Sequence, residues 1–287
     1  MSSLQNKIDF AVIIKVSHSN PNGDPLNGNR PRTDYTGYGE ISDVCLKRKL
    51  RDRLQEDEQR IFVQSDDRKT DRMKSLRERA EHEELGLGKK AFGDKADKEQ
   101  TARDACAKWF DVRAFGQLFA FAGKKKKKGD EEDGDGVSIP IRGPVTVRSA
   151  FSVEPVSVSS IQITKSVSGE GDGSKRSSDT MGMKHRVDRG VYVAFGSMNP
   201  QLAVKTGFSD ADAETIKNLL PRLFENDASS ARPEGSMAVA KVLWWKHNFK
   251  AGQFSSAKVH GSLTVNPDGT YALVDLPGLK PEEIDGF

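Results

Sequence analysis

The sequence predicts an α+β fold: an antiparallel sheet with helices on one face and large insertions between its elements. Two patterns carry this. Segments with an apolar residue at every second position mark half-buried strands, and segments with apolar residues at i, i+3 and i+4 mark amphipathic helices. With the polar insertions set aside, these occur in the order strand, helix, strand, strand, helix, strand.

The first strand is KIDFAVIIKV, where Ile8, Phe10, Val12, Ile14 and Val16 share one face against Asp9, Ala11, Ile13 and Lys15. Pro21, Gly23, Pro25, Gly28 and Pro31 then forbid both helix and sustained strand. A helix resumes near Ile41, capped by Ser42 or Asp43. Leu46, Leu50 and Leu54 form its core stripe, with Arg48 nearly opposite and Lys47 and Arg51 flanking it. RGPVTVRSAF and EPVSVSSIQI read as strands, and RGVYVAFG as a further short one. FSDADAETIKNLLPRLFEND is the second helix. Ser209 and Asp212 approximate a capping box, Ile216, Leu219, Leu220 and Leu223 share a face, and Pro221 should kink it. MAVAKVLWWKHN reads as a buried strand, and AKVHGSLTVNPDGTYALVDL as a hairpin turning at Asn266 to Gly269. This is the split βαβ order of a ferredoxin-like domain, whose sheet face opposite the helices is expected to be free.

A chain of 287 residues suits one domain with large insertions, or two domains. Hydrophobic residues at 35% and charged residues at 30% place it among soluble globular proteins. There is no transmembrane run, and MSSLQNKIDFAVIIKV lacks the layout of a signal peptide, so a cytoplasmic protein is expected. Cys45 and Cys106 stand far apart, which supports neither a disulfide nor a zinc site and leaves two ordinary buried thiols.

The net charge of +3 is mild, so its distribution matters more. Residues 66–104 carry eleven basic and eleven acidic residues with little apolar period, as a surface insertion would; KKKKKGDEEDGDG sets five lysines against five acids, as a solvated loop would. From Val137 to Val193 eight Lys/Arg face five acids. The excess falls on a Gly/Ser-rich tongue, Thr164 to Asp188, with Lys165, Lys175, Arg176, Lys184, His185 and Arg186 beside Met181 and Met183. Cations on such a tongue can close over a polyanion, and methionines can wedge against bases; an exposed charged hairpin is the plainer reading. The loop carrying Asn20, Asn22, Asp24, Arg30, Arg32 and Asp34 runs straight into a helix with Lys47, Lys49 and Arg51. A helix start beside such cations suits phosphate oxygens, while the loop's Asn and Asp residues also suit turn chemistry.

Catalytic patterns are thin. The five histidines form no HxxxH or HExxH, and neither GxSxG nor GxxxxGK[ST] occurs. No catalytic residue, cofactor or metal is expected, except that Asp24 and Asp34 could hold Mg²⁺ beside a phosphodiester.

SNPNGDPLNGNRPRTD leading into GEISDVCLKRKLRD, followed by DVRAFGQ, RGPV, HRVDRGVYVAFGSMNPQLA and TGFSDAD, closely resembles the repeating backbone subunit of type I CRISPR surveillance complexes (Cascade), a member of the RAMP superfamily. Subtype I-C matches best and I-B next. The resemblance implies a modified RNA-recognition (RRM-like) fold: one palm domain over residues 1–287, a finger or peripheral insertion at 66–136, and a thumb-like hairpin at 164–188. It implies a non-catalytic protein that polymerises with further copies of itself along CRISPR RNA. The bases are then presented to target DNA beside the other Cascade subunits, away from any membrane. The RNA-facing residues it implies are Asn20, Asn22, Arg30, Arg32, Lys47, Lys49 and Arg51 on the palm, Lys165, Lys184, His185 and Arg186 on the thumb, and Arg142, Asn199 and Gln201 in matching motifs. Tyr192 and Phe195 would be core or interface residues. Related type III subunits cut RNA with a loop aspartate, which keeps a metal-dependent ribonuclease using Asp34 or Asp24 as the alternative.

Overall fold

In a computed structural model, the structure describes residues 2–93, 95–121, 137–164 and 181–287. The Lys/acid run at 124–136 and the tip of the tongue, including Lys165, Lys175 and Arg176, lie outside the described residues.

In chain order the elements are β1 (Ile8–Ser19), β2 (Gly23–Asp24), β3 (Arg30–Pro31), β4 (Tyr38–Ile41), α1 (Asp43–Glu56), α2 (Leu76–Glu81), α3 (Lys98–Lys108), α4 (Phe110–Phe115), β5 (Gly116–Phe121), β6 (Val137–Arg142), β7 (Val145–Val147), β8 (Ala150–Pro155), β9 (Val158–Thr164), β10 (Met181–Met198), α5 (Pro200–Thr206), α6 (Asp210–Leu219), β11 (Met237–Lys246), α7 (Ser256–His260), β12 (Leu263–Val265), β13 (Tyr271–Leu273) and β14 (Glu282–Asp285). The main sheet runs β14-β11-β1-β10-β8-β4, with β7 and β9 also paired to β10. Its centre, β11-β1-β10-β8, takes the elements β1-α1-β8-β10-α6-β11 in the ferredoxin-like spatial order, and its ladders are antiparallel.

The period-two face of β1 behaves as the sequence predicts. Ile8, Phe10, Val12, Ile14 and Val16 pack with Leu46, Leu50 and Leu54 of α1 and Ile216 of α6 in the largest core. Each fully buried leucine contributes roughly 2 kcal/mol. Phe10 stacks on Trp244 at 5.6 Å and lies over Gly196, where a Cβ would come within 2.1 Å of the ring. Ser42 caps α1 and the Ser209/Asp212 capping box caps α6. Pro221 does more than kink: α6 stops at Leu219, and a single 3₁₀ turn follows, because proline cannot donate to the helix.

Four expectations are corrected. RGVYVAFG is not a short strand but the second half of the 18-residue β10. AKVH is not part of a hairpin strand; it is helical in α7, capped by Ser255. Residues 66–104 are not only surface, since Ala80 and Phe92 join Phe62, Ala105, Cys106, Trp109, Val112, Phe119 and Ile139 in a second core. Nor is the far face of the sheet free. Ala11, Leu243 and Trp245 are covered by Val259, Leu263, Leu276 and Leu279 from the C-terminal segment, and Phe195 packs there on His260.

That cover is pinned by a buried carboxylate. Asp9 lies 2.8 Å from His247 Nε2, 2.9 Å from Lys7 Nζ and 3.5 Å from His260 Nε2. Gln253 N–H donates to His247 Nδ1 at 2.9 Å, which leaves the His247 proton on Nε2, facing Asp9. Burial opposes the Asp9 charge, but hydrogen bonds from His247, Ser256 and Lys7 outweigh it and hold the acid below its ordinary value; burial pushes His260 down from 6.5. Both shifts act in one direction. As pH falls below 6.5 the unfolded chain takes up a proton that folded His260 resists, and below 3.8 the same holds for Asp9. Stability should therefore fall as the pH drops below 6.5 in denaturant titrations. That loss should shrink in His260→Gln; an equal loss in both proteins would remove His260 as its source.

Candidate nucleic-acid interface

The opening loop is ordered by its own polar side chains. Asn20 is buried and donates to Asn29 O at 2.6 Å, while its backbone N–H reaches Ala231 O at 2.9 Å. Asn22 Oδ1 accepts from Ser42 N at 2.9 Å and Ser42 Oγ at 2.8 Å, tying the loop to the cap of α1. Asp24 caps the 3₁₀ turn between β2 and β3, and Gly28 supplies the left-handed residue that closes it, at φ 56°. Asp34 Oδ1 accepts from Thr36 N and Tyr38 N, both at 2.9 Å, and from Thr36 Oγ1 at 2.8 Å; these bonds, led by the Thr36 hydroxyl, hold its pKa below the ordinary carboxylate range. Asp24 and Asp34 thus serve turns. Among the described residues no group of three or more His, Cys, Asp or Glu is placed to hold a metal ion.

What this loop presents is β3, set against the foot of a two-stranded ribbon. β9 pairs with the first half of β10 so that Met181, Met183 and His185 share a face with Thr164, Gln162 and Ser160, while Lys184 and Arg186 share the other with Ile161 and Ser159. Arg30 donates to Ser160 Oγ at 2.9 Å, and His185 Nδ1 meets the same hydroxyl at 2.8 Å. Arg32 lies 3.4 Å from Asp24. On the opposite face Arg186 and His18 each stand 4.0 Å from Asp188, and Ser159 donates to that carboxylate. Arg189 is exposed nearby, opposite Ser17. Further out, Met181, Met183, Ile161 and Ile163 are all exposed. Cations around the base of a ribbon whose described outer residues are apolar suit a polyanion with attached aromatic bases.

The cations of α1 lie elsewhere and are already matched. Lys49 is buried in an ion pair with Asp227, Arg51 binds Asp111 at 3.0 Å, Lys47 binds Asp43 at 3.0 Å, Arg48 binds Asp52 at 2.7 Å and Arg53 binds Glu56 at 2.7 Å. Burial lowers the basicity of Arg51 against the pull of Asp111. The start of α1 is filled by protein as well: Ser42 accepts from Cys45 N, and Ser149 Oγ accepts from Asp43 N. Asn20 likewise spends its side chain inside the loop, and Asn22 spends its own on the cap of α1.

Arg142 and Gln201 are exposed, and Asn199 caps α5, accepting from Gln201 N at 2.8 Å. These three stand beyond the far end of β10, roughly 40 Å from His185 at a strand rise of about 3.3 Å per residue. The structure does not bring them to the ribbon base. Sequence reading passed over His18, Ser159, Ser160, Asp188 and Arg189. The serines look like ordinary strand alternation, and His18 looks like a strand end.

An antiparallel ferredoxin-like sheet, a cationic loop and a projecting ribbon define an RNA-recognition-like scaffold. The sequence model of the CRISPR-associated protein Cas7 family matches residues 6–276, and the chain belongs to that family. A CRISPR-associated protein Cas7 from Haloferax volcanii is 29% identical over 276 residues, which cover 93% of this chain and 78% of that protein. Among solved structures, a chain of a CRISPR RNA-guided surveillance complex, pre-nicking, overlaps 87% of this chain and 81% of its own, with a TM-score of 0.46 and 16% identity. A chain of another CRISPR RNA-guided surveillance complex overlaps 92% and 77%, at 0.46 and 17%. Among the described residues no helix is long and apolar enough to cross a membrane.

Proposed function

We propose that the chain is a non-catalytic RNA-binding scaffold of a type I surveillance complex, of subtype I-C or I-B. Working in the cytoplasm, it polymerises with copies of itself along CRISPR RNA and leaves the bases open to target DNA. The observation that carries this is the meeting of the loop and the ribbon through Arg30, Ser160 and His185. Two segments more than a hundred residues apart converge there to present cations, with turn-forming rather than catalytic carboxylates around them. Arg30, Arg32, Lys184, His185 and Arg186 hold the sugar-phosphate backbone, together with Lys165. The ribbon acts as the thumb, its methionines displacing a base, and residues 66–136 act as the finger. Arg142, Asn199 and Gln201 serve a separate contact, with the next copy or the RNA on it. Lys47, Lys49, Arg51, Asn20 and Asn22 support the fold from behind.

Purified in low salt, the chain should bind guide-length RNA of unrelated sequences with similar affinity in fluorescence anisotropy. It should leave a complementary RNA uncut in Mg²⁺. Absence of RNA binding would sink the scaffold reading, and cleavage abolished by Asp34→Ala would replace it with a ribonuclease.

A further inference from the structure

The opening loop holds two Asn-Gly steps, Asn22-Gly23 and Asn27-Gly28, and the fold treats them in opposite ways. Such a step is chemically reactive. The glycine backbone nitrogen can attack the asparagine Cγ: an N–Cγ bond forms, the Cγ–Nδ2 bond breaks, and Nδ2 leaves as ammonia with the proton of the attacking nitrogen. Water then opens the succinimide at either carbonyl, giving aspartate, or isoaspartate with the main chain rerouted through the side-chain carbon. Glycine favours the step because it has no Cβ to shield the nitrogen and leaves the backbone free to rotate. Between two such steps in one chain, the difference lies in how firmly folding holds the side chain and the nitrogen.

Asn22-Gly23 is held. Asn22 Oδ1 accepts from Ser42 N at 2.9 Å and Ser42 Oγ at 2.8 Å, and its backbone carbonyl accepts from Arg32 N at 3.0 Å. Gly23 pairs with Pro31 in the β2-β3 ladder and lies under Asn29, whose Oδ1 would stand 1.9 Å from a Cβ on that glycine. Ring closure there requires the cap of α1 and the ladder to give way first. Asn27-Gly28 is open. No residue of the turn Pro25–Asn27 is buried, and Leu26 is 96% exposed. Among the described residues nothing bonds the Asn27 side chain, and no other part of the chain comes within 4 Å of where a Cβ on Gly28 would stand.

We propose that Asn27 is a self-modifying site: Gly28 N attacks its side chain, ammonia is lost, and the aspartate or isoaspartate left by water loosens the grip of the loop on RNA. The product carries a negative charge between Asp24 and Arg30. Isoaspartate also adds a carbon to the main chain inside the turn, where Asn29 N–H meets Asp24 O at 2.8 Å and so sets β3 to bring Arg30 to Ser160. The effect on RNA rests on the RNA-binding reading above, whereas the chemistry of Asn27 does not.

The test ages the folded chain, and the same chain unfolded in urea, in mildly alkaline buffer and follows both asparagines by peptide mass spectrometry. In urea the two should convert at similar rates. In the folded chain Asn27 should convert while Asn22 lags by about tenfold or more, the cost of breaking its two side-chain hydrogen bonds. The converted chain, separated by ion exchange on its added negative charge, should bind guide-length RNA about twofold to fivefold more weakly than fresh chain, the scale of one exposed charge pair. Asn27→Asp should reproduce the charge part of that loss, and Asn27→Gln should keep its affinity on ageing. Equal rates at the two asparagines in the folded chain, or no conversion of Asn27, overturns the proposal. Conversion with unchanged RNA affinity overturns the loosened grip. Failure of fresh chain to bind RNA overturns the parent reading and leaves the result at Asn27 standing.

Discussion

Replacing Asp111 with alanine is expected to lower stability by about 3 to 5 kcal/mol, the cost of stranding a buried charge. Asp111 is 1% exposed and accepts from Phe62 N at 2.7 Å, Val63 N at 3.0 Å and Arg51 Nε at 3.0 Å. Alanine would leave a buried and a half-buried backbone donor and a guanidinium without partners. The site also joins three parts of the chain, since α1 supplies Arg51, α4 supplies Asp111, and Phe62 and Val63 enter the second core. Chemical denaturation should show the loss as a lower midpoint with an unchanged slope. Arg51→Met combined with Asp111→Leu should recover part of it, because no charge is then stranded, while the two backbone donors remain unpaired. A loss under about 1 kcal/mol in Asp111→Ala would mean that water reaches the site and that Arg51 is available for RNA after all.

Removing the cations of the ribbon base should act on binding with little effect on folding. Arg30, Lys184 and Arg186 are at least partly exposed, and none lies in an apolar core. Each phosphate contact on a single strand contributes about 0.7 to the slope of log affinity against log salt. The triple replacement Arg30→Ala, Lys184→Ala and Arg186→Ala should therefore flatten that slope by roughly two units. Affinity at low salt should drop by about a hundredfold or more, equally for guides of different sequence. The same measurement on Lys47→Ala should change the slope little, because Lys47 is held by Asp43. A slope unchanged in the triple variant would move the RNA to another surface.

The motifs that mark the family turn out to fasten the fold. Arg51 of LKRKLRD binds Asp111 of DVRAFGQ, and Arg113 of DVRAFGQ binds Asp212 of TGFSDAD at 2.8 Å. Gly116 in DVRAFGQ and Gly143 in RGPV sit where β5 and β6 meet. A Cβ on Gly116 would come 2.3 Å from Ile141 O, and one on Gly143 would come 2.3 Å from Ala114 O. Sequence reading found the motifs and the strand and helix order because those depend on local period. Lys49 and Arg53 stand three residues beyond Leu46 and Leu50, on the flank of the buried stripe, so their burial was legible from helix geometry. The neutralisation of Lys49 and Arg51 was less so: Asp227 lies 178 residues from Lys49, and Asp111 lies 60 from Arg51. The outer half of β10 was hidden because Lys184, His185, Arg186, Asp188 and Arg189 give it no apolar face. The cover of the far sheet face was hidden because α7 spans five residues, too few to show a helical period.

β10 has a mechanical consequence. Its inner half lies between β1 and β8 in the middle of the sheet, and its outer half is one rail of the ribbon. The ribbon is thus a cantilever clamped in the hydrophobic core, with its bearing beside His18, whose backbone is left-handed at φ +50°. Force applied at the exposed methionines is carried along one continuous backbone to Met198, so the angle of the lever is set by the same packing that keeps the protein folded.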